Sequence, residues 1–181
     1  MHRAKWAVRA AFLTNGLIVG ALYSRIPDLK ASLGLSNAQV GTVLLCSSIG
    51  VLLMISQVGK WCAVRGSRPI VILSSYISAF TILPLAVANS FLTLCISFLI
   101  WGAFLTMQDV SMNTHASTVE HVEQKRYMSG FHGVFSVGAL LGGVIGGFCS
   151  QFEVSILKQN IGISIYFVIL ATLDRKSTRL N

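Results

Sequence analysis

Residues 91–110 read FLTLCISFLIWGAFLTMQDV, a run of 20 residues whose only charged member is Asp109, next to its end. As a helix, such a run is about 30 Å long, which matches the hydrocarbon core of a bilayer. Four more stretches have a similar length and character, and only the first of them carries a charge, Arg9, one turn from its start: 6–23, 38–58, 69–88 and 132–152. The sequence therefore predicts five transmembrane helices.

The composition agrees with lipid as the main solvent. Hydrophobic residues make up 54% of the 181 residues and charged residues 11%, whereas a soluble domain carries about 25% charged residues. A sixth apolar stretch, 161–173, is too short to cross the membrane, at about 20 Å of helix. No segment alternates strictly, and a lipid-facing backbone must form its hydrogen bonds internally. We therefore predict an all-α, polytopic membrane helix bundle with five complete transmembrane helices and a truncated sixth.

The basic residues predict the orientation of this bundle. With a cytoplasmic N-terminus, eight of them lie inside: Arg3, Lys5, Arg9, Lys60, Arg65, Arg68, Lys125 and Arg126. Three lie outside: Arg25, Lys30 and Lys158. This distribution satisfies the positive-inside rule, so the net charge of +8 needs no nucleic-acid partner. A cleaved signal peptide is the alternative for the N-terminus, but no clear small-x-small cleavage site follows.

Cysteine and histidine spacing predicts neither a disulfide framework nor a metal site. The four cysteines lie far apart and the four histidines are not clustered. We expect small apolar cysteines within helices and no cofactor.

The last eight residues, 174–181, read DRKSTRLN. A common sequencing-library adapter encodes the same peptide, and on that interpretation the natural sequence stops at Leu173 in the middle of a helix. The alternative is a basic segment next to the membrane. We expect the adapter-encoded origin and exclude 174–181 from the fold prediction.

The connection after the second span reads GKWCAVRGSR from Gly59. It resembles the loop signature G-x-L-A-D-R-x-G-R-K of the major facilitator superfamily: Gly59, Gly66 and Arg68 match, Arg65 fills the variable place and Ala63 replaces the acid. The resemblance implies a gating role for this loop, and it implies twelve helices in two halves, with residues 1–173 as an incomplete N-terminal half. A plain loop that sets the topology is the alternative.

The fifth span is rich in small residues that allow helices to pack closely in lipid. These glycines are Gly138, Gly142, Gly143, Gly146 and Gly147. The stretch also resembles the G-x-x-x-G-P-x-x-G-G element of facilitator antiporters, with Gly143 in place of the proline. An efflux antiporter therefore stays open as an alternative.

The segment Gln108-Asp109-Val110-Ser111-Met112-Asn113, at the end of the fourth span and just beyond it, places an acid at or near membrane depth. A carboxylate there costs a few kcal/mol and is by default a functional candidate. Asp109 and Asn113 are four residues apart and share a helix face, where they can bind one ligand. Proton uptake and release by Asp109 suits a proton-coupled transporter. In the alternative, the helix ends near Met107 and Asp109 lies at the interface.

This motif, followed by His115 and Glu120, resembles the fourth helix of the fucose/proton symporter branch and its bacterial inner-membrane relatives. The resemblance implies that Asp109 binds proton and sugar, with Asn113 one turn on. We expect Gln108 and Asn15 to line the same cavity.

The predicted function is secondary transport of a small solute, sugar-like or another small metabolite, coupled to protons, in a bacterial inner membrane. The predicted partners are the bilayer, the solute, protons and a C-terminal half of the same protein. A membrane-embedded enzyme is the remaining alternative, but the spans supply one acid only, where hydrolysis needs a pair of catalytic groups.

Overall fold

The computed structural model describes the backbone of residues 2–177 and the side chains of residues 4–172. In this part of the chain all regular structure is helical. The helices are α1 (His2–Tyr23), α2 (Ile26–Ser32), α3 (Asn37–Arg65), α4 (Ser67–Thr81), α5 (Leu83–Val87), α6 (Phe91–Glu123), α7 (Met128–Gln151) and α8 (Ile156–Ser177).

The five predicted spans are confirmed. Among the described residues, five helical segments are long and apolar enough to cross a membrane. These segments are Ala4–Ser32, Asn37–Arg65, Ser67–Val87, Phe91–Glu123 and Met128–Gln151. The predicted all-α membrane bundle is therefore the fold of the described chain.

The fourth span differs most from its predicted length. α6 has 33 residues and is about 50 Å long, so it does not end near Met107 but continues to Glu123. Residues 111–123 are polar and still compatible with a helix. The hydropathy of the sequence falls at the first polar residues, but the backbone hydrogen bonds of the helix continue to Glu123.

The third predicted span is interrupted. α4 ends at Thr81 and α5 begins at Leu83, with Pro84 in the first turn of α5. A proline lacks an amide hydrogen and its ring clashes with the carbonyl four residues earlier, so the helix is broken before it. The span therefore consists of two helical pieces.

α8 begins at Ile156, five residues before the predicted start of the short sixth stretch. Its apolar part among the described side chains, Ile156–Thr172, is shorter than the five candidate spans. The prediction about the origin of 174–181 concerns side chains outside the described residues, and 178–181 lie outside them altogether.

Two serines begin the long helices that follow short loops. Ser36 Oγ accepts a hydrogen bond from Gln39 N at 3.2 Å, and Gln39 Oε1 accepts one from Ser36 N at 2.9 Å. This capping box fixes the start of α3. Ser90 and Thr93 form the same arrangement at the start of α6.

The bundle is organised by two long parallel contacts, α1 along α7 and α3 along α6, with α4 also packed on α6. Gly138, Gly142 and Gly146 face α1 so closely that a methyl group on any of them would collide with α1 atoms. A methyl group on Gly143 or Gly147 would meet open space. The first three glycines therefore permit the α1–α7 contact.

α3 and α7 expose most of their apolar surface. Leu52 on α3 is 71% exposed and Leu140 on α7 is 68% exposed. Exposed leucines of this kind suit contact with lipid or with another helical unit.

Candidate functional site

The exposed face of α6 carries the acid and the amide singled out in the sequence. Asp109 is exposed and Asn113 is half-buried. Asn113 Nδ2 donates to Asp109 Oδ1 at 3.2 Å and to the Asp109 carbonyl oxygen at 2.9 Å. The two side chains thus form one polar pair on a single helix face, as their spacing predicts.

This face lies between α7 and α3. On the α7 side, His132 is exposed and close enough to Asp109 for a Coulombic interaction, and its ring packs edge-on against Phe12 at 5.3 Å. On the α3 side, the Cys62 thiol lies near the hydroxyl group of Thr114. The sequence alone does not indicate His132 as a site residue, because its role depends on which helix packs beside α6.

The polar character of α6 continues beyond Asp109. An open depression is lined by the hydroxyl, amide and imidazole groups of Asn113, Thr114, Ser117, Thr118 and His121. With Asp109 these residues form what we call the α6 polar strip: Asp109, Asn113, Thr114, Ser117, Thr118 and His121. The strip extends over about three turns of helix.

Gln108 and Asn15 do not lie on this strip. They are 1% and 2% exposed and face the interior of the bundle. Asn15 Nδ2 donates to Met112 Sδ at 3.6 Å, while Asn15 Oδ1 and both polar atoms of Gln108 have no protein partner. The structure therefore brings Asp109 and Asn113 together and places the other two candidates in the core.

The four residues of the predicted gating loop lie at the junction of α3 and α4. α3 ends at Arg65 and α4 begins at Ser67, so Gly66 alone connects them, with φ +80° and ψ 154°. Only glycine adopts this conformation readily. Arg65, Arg68 and Gly59 are all exposed, and a methyl group on Gly59 would meet nothing.

Charged residues next to the strip are paired rather than merely solvated. Lys5 Nζ lies 2.9 Å from Glu123 Oε2, which also accepts a hydrogen bond from Tyr127 Oη at 2.7 Å. Glu120 Oε1 accepts hydrogen bonds from the backbone amides of Tyr127 and Met128 at the start of α7. These contacts fix the ends of α1, α6 and α7 against one another.

A second paired group lies at the opposite end of the bundle. Arg25 is buried, and its Nε lies 2.5 Å from Asp28 Oδ2. It also donates to Gln159 Oε1 at 3.1 Å and to the Val154 carbonyl at 2.7 Å. Arg25 therefore ties the end of α1 to α8. Among the described residues, no group of three or more metal-ligating side chains occurs.

A helical bundle with five apolar spans and a polar strip on an exposed helix face is typical of a multi-pass membrane transport protein. Residues 10–173 match the family model described as Major Facilitator Superfamily. The chain belongs to this family, which points to a transporter rather than an enzyme and to a multi-pass membrane location.

Three curated relatives agree with this assignment. The chain is 36% identical over 136 residues to an uncharacterized MFS-type transporter of Yersinia pestis, covering 75% of this chain and 35% of the relative. It is 33% identical over 144 residues to the membrane protein MosC of Rhizobium meliloti, covering 77% and 35%. It is 30% identical over 146 residues to an uncharacterized transporter of Sinorhizobium fredii, covering 81% and 39%.

The chain thus matches a little over a third of the length of these relatives. No solved structure matches it.

Proposed function

We propose that this chain forms the N-terminal six-helix half of a secondary transporter that moves a small, sugar-like solute together with protons by alternating access. The relatives are longer than the matched segment, in keeping with a second half. In transporters of two repeated halves, the substrate lies between the halves and access alternates as they rock. The distribution of basic residues supports a cytoplasmic N-terminus. The bacterial source of the three relatives supports a bacterial inner membrane.

The observation that carries this proposal is the outward-facing pair of Asp109 and Asn113 on α6. A carboxylate and an amide that face hydrocarbon would cost several kcal/mol, so a membrane protein places such groups toward a water-filled cavity or a partner helix. The α6 polar strip is therefore the wall of the cavity between the two halves. A carboxylate and an amide side by side offer hydrogen-bond acceptors and donors to a solute with several hydroxyl groups.

In this transporter, the carboxyl group of Asp109 takes up and releases the coupled proton. The surroundings of a cavity wall change between wet and dry as the halves rock, and the proton affinity of a carboxyl group follows its hydration. His132 lies near enough to interact with the same carboxylate. Gln108 and Asn15 face the interior of the bundle, behind this wall.

The predicted gating loop stabilises one state of the transporter on the cytoplasmic side. Arg65 and Arg68 flank the one-residue connection at Gly66 and are exposed. A sharp turn with basic groups on both sides is suited to contact the other half in one state only. The loop then stabilises that state.

Water access tests the cavity without knowledge of the substrate. In the complete transporter, with the native cysteines replaced by serine, Asn113→Cys should react with a membrane-impermeant maleimide applied from the cytoplasmic side. Leu52→Cys and Leu140→Cys are matched controls on exposed apolar faces and should stay unlabelled. Equal protection of Asn113→Cys and Leu140→Cys would show that the strip faces lipid and would refute the cavity.

Proton coupling is tested separately, in proteoliposomes that contain the complete transporter and an internal pH-sensitive dye. A panel of neutral sugars and lipophilic cations is added outside. Asp109→Asn, which conserves size, should abolish solute-driven proton movement, whereas Glu153→Gln at the exposed α7–α8 turn should leave it intact. Unchanged proton movement in Asp109→Asn would remove the coupling role, and a response to the cations alone would replace symport by efflux.

A further inference from the structure

Two cysteines occupy facing positions on neighbouring helices. Cys46 lies on α3 and is half-buried, and Cys95 lies on α6 and is buried. Both belong to the same apolar cluster in the bundle. Neither is involved in the α6 polar strip.

The packing of α3 on α6 sets these positions against each other. A methyl group on Gly50 of α3 would meet the backbone of Leu99 and Ala103 on α6, so Gly50 lies between these two residues. The two helices are parallel, and four residues are about one turn. One turn earlier on both helices, Cys46 therefore lies beside Cys95 and Leu99.

The contacts of the thiols agree with this register. The Cys46 and Cys95 thiols are near enough to interact electrostatically with each other. Further along α3, Cys62 lies instead near the hydroxyl group of Thr114. Cys149 is on α7, away from the α3–α6 contact.

The α3–α6 contact is unusually close near the two cysteines. Ordinary helix pairs pack with their axes about 8–10 Å apart, and a disulfide needs Cα atoms about 4.4–6.8 Å apart. Gly50 and Gly102 both admit the neighbouring backbone, because a methyl group on either would collide with it. Close approach at these glycines brings the two helices nearer together than an ordinary pair, which favours a disulfide between side chains that face each other one turn away.

We propose that Cys46 and Cys95 form a dithiol site that a lipid-soluble two-electron oxidant, a halogen or a quinone, converts to a disulfide between α3 and α6. Two S–H bonds break and one S–S bond forms. Two electrons and two protons pass to the oxidant, so that iodine leaves as two equivalents of hydrogen iodide and a quinone as its hydroquinone. The bridge joins two helices that are already in contact, so its formation needs no separation of the bundle.

The experiment treats the protein in lipid vesicles with one equivalent of dissolved iodine, blocks remaining thiols with a maleimide and digests without reductant. Mass spectrometry should find one linked pair of peptides that contain Cys46 and Cys95, lighter than their sum by two hydrogen atoms. A reductant should separate the pair. Cys46→Ser and Cys95→Ser should each abolish it, and Cys62→Ser should keep it.

Recovery of Cys46 and Cys95 as maleimide adducts, or a link of either one to Cys62 or Cys149, would overturn the proposal. The main measurement uses the unmodified chain and does not depend on the folding of any variant. It is also independent of the proposed transport function, because neither thiol touches Asp109 or Asn113. Failure of the link and failure of proton coupling are therefore separate results.

Discussion

Replacement of Gly142 by alanine tests the close contact between α7 and α1. An added Cβ would collide with the Leu17 carbonyl oxygen and would lie 2.8 Å from Ala21 N, where ordinary contacts begin at 3.4 Å. Both atoms belong to the backbone of α1, so no side chain can rotate away, and the two helices must separate. Overpacking of this kind costs about 1–3 kcal/mol.

The matched control is Gly143→Ala, the next residue of the same helix, where the added methyl group meets open space. Alanine is favoured over glycine within a helix by about 0.5–1 kcal/mol, and this gain is common to both variants. The difference between them therefore isolates the contact with α1. We expect Gly142→Ala to be less stable than Gly143→Ala by about 1–3 kcal/mol.

The assay is unfolding in mixed micelles by increasing amounts of a denaturing detergent. Tryptophan fluorescence, to which the buried Trp101 contributes, and helical circular dichroism report the transition. Equal stability of the two variants, or greater stability of Gly142→Ala, would refute the argument that these glycines are required by the approach of α1.

Two further predictions concern a turn and a buried charge. Gly66→Ala forces a side chain into a conformation with φ +80° and should cost about 1–3 kcal/mol in the same assay, whereas Gly59→Ala in the helix before it should be neutral or stabilising; equal effects would contradict the backbone argument. Arg25→Gln removes the charge that pairs with Asp28 and should cost about 2–3 kcal/mol, less than for a fully buried pair because the Asp28 side chain is 32% exposed. Thermal unfolding of Arg25→Gln is compared with that of Lys30→Gln, which removes a more exposed cation. Similar losses of stability in the two variants would argue against a special role of Arg25.

The sequence predicted the spans well because the cost of lipid-exposed polar groups is local. Each run of apolar residues can be compared with the bilayer thickness without knowledge of its neighbours. The extension of α6 to Glu123 and the break before Leu83 were missed for different reasons. The extension of α6 lies in mostly polar sequence, where a hydropathy scan does not detect a helix. The break before Leu83 is caused by Pro84, which a hydropathy scan does not detect because the surrounding span is apolar overall.

The site was only partly predictable. The pairing of Asp109 with Asn113 follows from helical periodicity, since residues four apart share a face. The same periodicity could not show that Gln108, one residue away, faces the core. Nor could helical periodicity select His132. This residue of α7 packs on Phe12 of α1, and the packing of these helices brings it near Asp109.

The sequence by itself determined the solvent, the number of crossings and the helix face that carries the acid, because these depend on composition and on the repeat of one helix. Only the tertiary structure decided which glycines of α7 contact α1, which polar residues of α6 face outward and which thiols face each other across α3 and α6. These properties depend on the rotation and register of one helix against another. Many side chains at distant positions in the chain set that register together, and no local pattern records it.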